Sequence, residues 1–176
     1  LFDTFVQRGR ILYFGAPCGF GKTALANALV GRNLVLRLHA DAADFAVPAE
    51  GGTWKFLVID ELQAMQDEDD WQALCELIRA NPERRFVLIS RGAPPGCLMA
   101  FEYAGLMSVV RAEDLLFDRD DMRKLFQSYG VELSDSELNV IARESIGYPL
   151  ALASTARGMT GGRPFTPQLV GQVMRE

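Results

Sequence analysis

The sequence has little of several things, and each shortage closes off a class of function. It holds one histidine, His39, and three cysteines, Cys18, Cys75 and Cys97, with no Cys-x-x-Cys pair. Neither a zinc cluster nor a disulfide framework is expected, and the thiols default to buried residues of a reducing compartment. Positive charge is not in excess: 18 Lys and Arg against 23 Asp and Glu give a formal net charge of -5. Gripping a phosphate backbone takes clustered cations, so any contact with DNA must be made by a domain outside this chain. Long apolar runs are also missing. "FLVI" and "FVLI" fall far short of the ~20 residues of a membrane span, and the N-terminus has no signal-peptide pattern. A cytoplasmic protein with no membrane partner is the expectation. No internal repeat is visible, and Leu1 lies almost directly before a strand, which reads as the start of a fragment of a longer protein.

What the chain does have is apolar material. Its 176 residues are 49% hydrophobic, enough to bury roughly 70% of the unfolded surface. Five β-prone runs stand out: Ile11 to Gly15, Leu34 to Leu38, Lys55 to Ile59, Arg85 to Ser90 and Met107 to Arg111. Their apolar stretches are continuous, which suits parallel strands covered on both faces. Helical patterns lie between several of them, notably Lys22 to Leu29 and Asp69 to Ala80, so an α/β layer sandwich follows. The link from Leu38 to Lys55 contains Pro48 and "EGG" and leaves room for one short helix around Asp41 to Phe45.

After Arg111 the strand signals stop. Asp118 offers a helix cap and Gly130 a stop, Ser134 with Glu137 forms a capping-box pattern, and Pro149 suits a first helical position. The expected division is therefore an α/β domain over 1–113 and a small helical, lid-like subdomain over 114–176.

The chemistry starts at "APCGFGKT", residues 16 to 23, which joins the first strand to the first helix. That is the context of a phosphate-binding loop. Gly19 and Gly21 let the backbone turn its N–H groups onto an anion, and the helix N-terminus adds partial positive charge. Lys22 would reach the β and γ phosphates, and the Thr23 hydroxyl would hold Mg²⁺. Ala16, Cys18, Phe20 and Ala24 complete the nucleotide-contacting stretch. Ala16 stands where the pattern usually has its first glycine, and Gly15 sits one place early. The alternative is a Gly-rich turn before an ordinary helix.

"FLVIDE" then sets Asp60 and Glu61 at the C-terminal end of a buried strand, the edge where open α/β sheets bind ligands. Asp60 would contact Mg²⁺, and Glu61 could orient or deprotonate a water; either could instead be an acidic helix cap. "FVLISR" ends at the same edge, where Arg91 could detect a γ-phosphate through charge-assisted hydrogen bonds or be a surface arginine. "DEDD" at 67 to 70 reads as the acidic first turn of a helix, His39 as structural, and Cys18 as a small filler in the loop, although a thiol there could be redox-sensitive.

Taken together, "APCGFGKT", "FLVIDEL", "VLISRGAPP", "VVRAEDLLFDRDDMRKLF" and "ESIGYPLAL" resemble the nucleotide-binding module of STAND-class ATPases. The resemblance runs from about Ile11 to Arg157 and is strongest to the group of the maltose-regulon activator and large LuxR-type bacterial transcription regulators. It implies a P-loop NTPase fold, a three-layer sandwich around a five-stranded parallel sheet. It also implies an ATP/ADP switch with weak ATPase activity that self-associates in the ATP state and contacts DNA through other domains. On the matching positions Lys22 and Thr23 carry the Walker A role, Asp60 the Walker B role, Arg91 the γ-phosphate sensor and Pro149, in "GYP", a contact to the adenine. Glu61 departs from the Asp that relatives often carry. A faster enzyme, an AAA-like motor using Arg111 or a kinase with Arg119 and Arg123 on a lid, is the alternative, and a non-catalytic domain with a vestigial loop is a third reading.

Overall fold

The computed structural model describes residues 9–31, 33–48 and 52–160. The continuous apolar runs become five parallel strands, β1 (Ile11–Gly15), β2 (Val35–His39), β3 (Phe56–Asp60), β4 (Arg85–Ser90) and β5 (Met107–Arg111), in the order β2-β3-β4-β1-β5. Strands β1, β4 and β5 begin and end as expected. Strands β2 and β3 start one residue later, because Lys55 and Leu34 meet only outside the ladder, through a Lys55 N–H donated to the Leu34 carbonyl at 2.8 Å. The shift brings Asp60 inside β3 as its last residue and makes His39 the exposed end of edge strand β2, in register with Asp60.

Residues Ile11 to Phe14 and Phe86 to Ile89 are buried throughout, which is why their sequence does not alternate. On one face Ile11, Tyr13, Leu57, Ile59, Phe86, Leu88 and Met107 form a core with two helices. The sheet's other face meets helix α1 (Lys22–Val30), which lies against β3 and β4 and buries Ala26 and Val30. The two helices of the first face are α2 (Glu68–Ala80), which contributes Leu74, Leu77 and Ile78, and α3 (Gly96–Tyr103), which contributes Leu98 and Phe101. Together these are the three layers of the expected sandwich.

Two details differ from the sequence reading. The segment Asp41 to Phe45 forms no helix: Ala42 N–H bonds to His39 O and Phe45 N–H to Ala42 O, single turns that do not propagate before Pro48. Cysteine burial is also uneven, since Cys75 is buried while Cys18 and Cys97 are exposed. The "DEDD" run is used for helix entry, with the Asp67 carboxylate accepting the Asp69 N–H at 2.9 Å and Glu68, Asp69 and Asp70 in the first turn.

By their own contacts the described residues divide into a sheet unit, up to 18 and from 22 to 112, and a helical unit made of 19–21 and the chain from 113. In the helical unit, α4 (Arg119–Ser128), α5 (Asp135–Ser145) and α6 (Pro149–Met159) bury Met122, Phe126, Leu138, Ile141, Leu152, Ala156 and Met159 against one another. Asp118 caps α4 through the N–H groups of Asp120 and Asp121, and the Ser134–Glu137 capping box opens α5. Gly147 has φ 80°, and a Cβ there would stand 2.7 Å from the Phe117 carbonyl oxygen, so the turn into α6 needs glycine. Arg123 pairs with Asp135 and Arg119 donates to Asn139, so both arginines tie α4 to α5. Among the described residues no helix is long and apolar enough to cross a membrane.

Candidate functional site

Because the sheet is parallel, the loops after β1, β3 and β4 leave from one edge. Gly15 ends β1, and a Cβ on it would come within 2.7 Å of the Gly92 carbonyl oxygen. The early glycine is thus explained by the close approach of the loop after β4. Ala16 is fully buried, keeps a negative φ and donates its N–H to Ser90 O at 3.4 Å. The loop then turns through Gly19 at φ 81° and Gly21 at φ 73°, and a Cβ on Gly21 would meet nothing within 4 Å. The backbone is therefore open to a ligand there.

Lys22 is the first residue of α1 and is buried, with Nζ donating to the Pro17 carbonyl at 2.8 Å. Burial pulls its ammonium below the usual lysine range, against the opposing influence of Cys18, Asp60 and Glu61. Its chain-reversing bond to Pro17 folds the side chain back over the loop. Thr23 and Ala24 follow it in the first turn and are exposed. Cys18 is exposed, and Phe20, in the helical unit, stacks at a tilt with Tyr148, ring centroids 5.1 Å apart.

Asp60 is buried, and its two oxygens have different partners: Oδ2 accepts the Thr23 hydroxyl at 2.6 Å and Oδ1 accepts the Glu61 N–H at 2.8 Å. Glu61 has a left-handed backbone, φ 57° and ψ 36°, which costs a non-glycine residue ~1–2 kcal/mol. It precedes the 3-10 turn Leu62–Ala64 but makes no side-chain cap there. Its carboxylate instead accepts from Arg91 Nη2 at 2.9 Å and from Gln63 Nε2. Arg91 follows the end of β4 with its side chain about half exposed.

The sequence reading had no place for Gln63. Its Oε1 accepts the Arg91 backbone N–H at 3.1 Å and the Ser90 hydroxyl at 3.5 Å, so it bridges the loops after β3 and β4. The one available signal was a polar residue within the otherwise apolar "LQAM" that follows the carboxylates. Pro149, the remaining expected contact, is the buried first residue of α6 in the helical unit.

The arrangement fits a Mg²⁺-nucleotide chemically. Thr23 and Asp60 offer a hydroxyl and a carboxylate side by side, as a hard cation needs. The loop offers positive-φ glycines, a buried ammonium and a helix N-terminus to phosphate oxygens.

Among known proteins, the chain matches no family model and no curated sequence. Solved structures do share the fold. A Walker-type ATPase of Pyrococcus abyssi, PABY2304, superposes with a TM-score of 0.63 at 10% identity, over 98% of this chain and 67% of that one. A STAND protein with a tetratricopeptide repeat sensor, PH0952 of Pyrococcus horikoshii, gives 0.61 at 11% identity over 98% of this chain, which spans only 31% of that protein. The FIGL-1 AAA domain in complex with ADP gives 0.59 at 12% identity, with 98% of this chain and 74% of that chain covered. The fold is that of the P-loop NTPases.

Proposed function

We propose that this protein is an ATP/ADP-binding switch that hydrolyses ATP slowly. The observation that carries the reading is the Thr23 hydroxyl bonded to the Asp60 carboxylate at 2.6 Å, at the foot of a glycine loop that ends in a buried lysine. In this reading the loop backbone from Ala16 through Ala24 cradles the phosphates and Lys22 neutralises the β and γ groups. Thr23 and Asp60 would hold Mg²⁺, which would supply positive charge to offset that of the phosphates. Glu61 orients or deprotonates the attacking water, Arg91 detects the γ-phosphate, and Pro149 contacts the adenine. ADP in the FIGL-1 domain of the same fold supports an adenine nucleotide.

A switch works through differential affinity, and moving a two-state equilibrium from 1:99 to 99:1 takes about 5.5 kcal/mol. Contacts made only to a γ-phosphate are the natural source. Slow turnover is favoured over the motor or kinase reading because the Glu61 carboxylate is already engaged by Arg91 and Gln63. The regulatory setting, with self-association in the ATP state and DNA contacted through other domains of a LuxR-type regulator, rests on the sequence resemblance alone.

The test is to denature the purified protein, identify any nucleotide released by chromatography, and follow phosphate release. Tightly held ADP with turnover well under one per second is expected, and Lys22→Ala should lose nucleotide binding. Rapid hydrolysis that rises with protein concentration would point to the motor; undiminished ADP affinity in Lys22→Ala would remove the loop from the site.

A further inference from the structure

Gln63, Glu61 and Arg91 are bound to one another more closely than the roles above require. Glu61 Oε2 accepts from both Arg91 Nη2, at 2.9 Å, and Gln63 Nε2, while Gln63 Oε1 accepts the Arg91 backbone N–H at 3.1 Å. One amide therefore grips the carboxylate with its donor end and the arginine's main chain with its acceptor end. Glu61 is in turn fixed from behind, its N–H on Asp60 Oδ1 at 2.8 Å and its backbone left-handed at φ 57°. The backbone that carries this carboxylate is thus held in place beside Asp60.

We propose that Gln63 holds Arg91 on Glu61 as a latch that opposes the triphosphate state, so that Gln63 is a positioning residue setting the preference for ADP over ATP. The inference rests on the reading of Arg91 as the γ-phosphate detector. Two anions then compete for one guanidinium. ADP lacks the γ-phosphate and leaves the latch closed; ATP must draw Arg91 off Glu61 before it gains that contact. A ligand shifts a conformational equilibrium only by its differential affinity for the two states, so the free energy of the latch is subtracted from ATP binding and not from ADP binding. The closed latch also occupies Glu61 Oε2 with two donors, which keeps that oxygen from taking a proton from water.

The size of the effect follows from exposure. The Arg91 side chain is 56% exposed and that of Glu61 31%, and solvated ion pairs of this kind shift an equilibrium by about two- to fivefold. Gln63 is itself exposed, so its truncation leaves the core intact.

The experiment is calorimetry of the whole chain with Mg·ADP and with Mg·AMP-PNP. Gln63→Ala should bind AMP-PNP about two- to fivefold more tightly and ADP unchanged. Glu61→Gln should give the same selective gain from the other side of the latch, and the double variant should gain no more than the better single one. An unchanged affinity ratio, or equal weakening of both nucleotides, overturns the latch while leaving the nucleotide switch standing. If the wild-type chain binds neither nucleotide, the functional reading itself fails and the latch goes with it.

Discussion

Three thiols in one chain illustrate how surroundings decide the chemistry of a residue. Burial, with Cys97 adding through charge and a hydrogen bond, pushes the Cys75 thiol up to about 11, whereas Cys18 and Cys97 are exposed. The thiolate is the reactive form. Maleimide at pH 7.5 should therefore modify two cysteines quickly and Cys75 only on unfolding, as peptide mass spectrometry would show. If the loop holds a nucleotide, saturating Mg·ADP slows Cys18 alone; labelling of Cys18 that ignores Mg·ADP would count against the site. Gly15 makes a second residue-scale case. An added Cβ would stand 2.7 Å from a backbone oxygen that cannot swing aside, so Gly15→Ala should cost about 1–3 kcal/mol in a urea melt. Legibility divides at this scale. The turns at Gly19 and Gly21 and the helix start at Lys22 could be read directly because consecutive residues settle them. Gln63 could not, since its partners Ser90 and Arg91 reach it only once β3 lies beside β4.

At the scale of elements, what could be read from the sequence is what neighbouring residues settle among themselves. Strand runs and caps are of that kind: Asp118, the Ser134–Glu137 box and Pro149 at the start of α6 all stand where their spacing places them. Helix α3 escaped notice because Pro95 at its entry makes no side-chain cap and "GCLMAFEY" shows little polar punctuation; packing of Leu98 and Phe101 on the sheet core supports it instead. The turns after His39 were misread as a helix for the converse reason, local propensity without enough length to propagate. The capping box gives a quantitative test. Ser134 Oγ and Ser134 N–H both donate to Glu137 Oε2, at 2.6 and 2.9 Å, and they hold its carboxyl below the usual glutamate range. A depressed carboxyl stabilises the fold fully above its unfolded value and loses that contribution as pH falls through the folded one. Ser134→Ala should thus cost about 1 kcal/mol at pH 7 and progressively less as pH falls below the usual glutamate range, where the native carboxyl takes up its proton. Thermal melts of the two proteins across pH 3 to 7 would show it; a parallel offset at every pH would mean that the box contributes nothing through charge.

At the scale of the whole molecule, the described residues include one hydrophobic cluster around Leu57, Phe86 and Leu74 in the sheet unit and another around Phe126, Leu138 and Leu152 in the helical unit. Each has its own local stability, and hydrogen exchange reads the two independently. A ligand that binds the folded protein adds stability wherever its contacts reach, about 2.7 kcal/mol at one hundred times its dissociation constant. Mg·ADP should therefore slow exchange in β1, α1 and the end of β3, whose residues Lys22, Thr23 and Asp60 carry the proposed contacts. Protection in α6 is a separate matter, because no residue of that helix but Pro149 has been given a role. If Pro149 contacts the adenine as the resemblance implies, amides at the start of α6 slow as well, and they slow with ADP but not with inorganic pyrophosphate, which offers the loop its phosphates without a base. Slowing confined to the sheet unit with either ligand would take Pro149 out of the site while leaving Lys22, Thr23 and Asp60 in it.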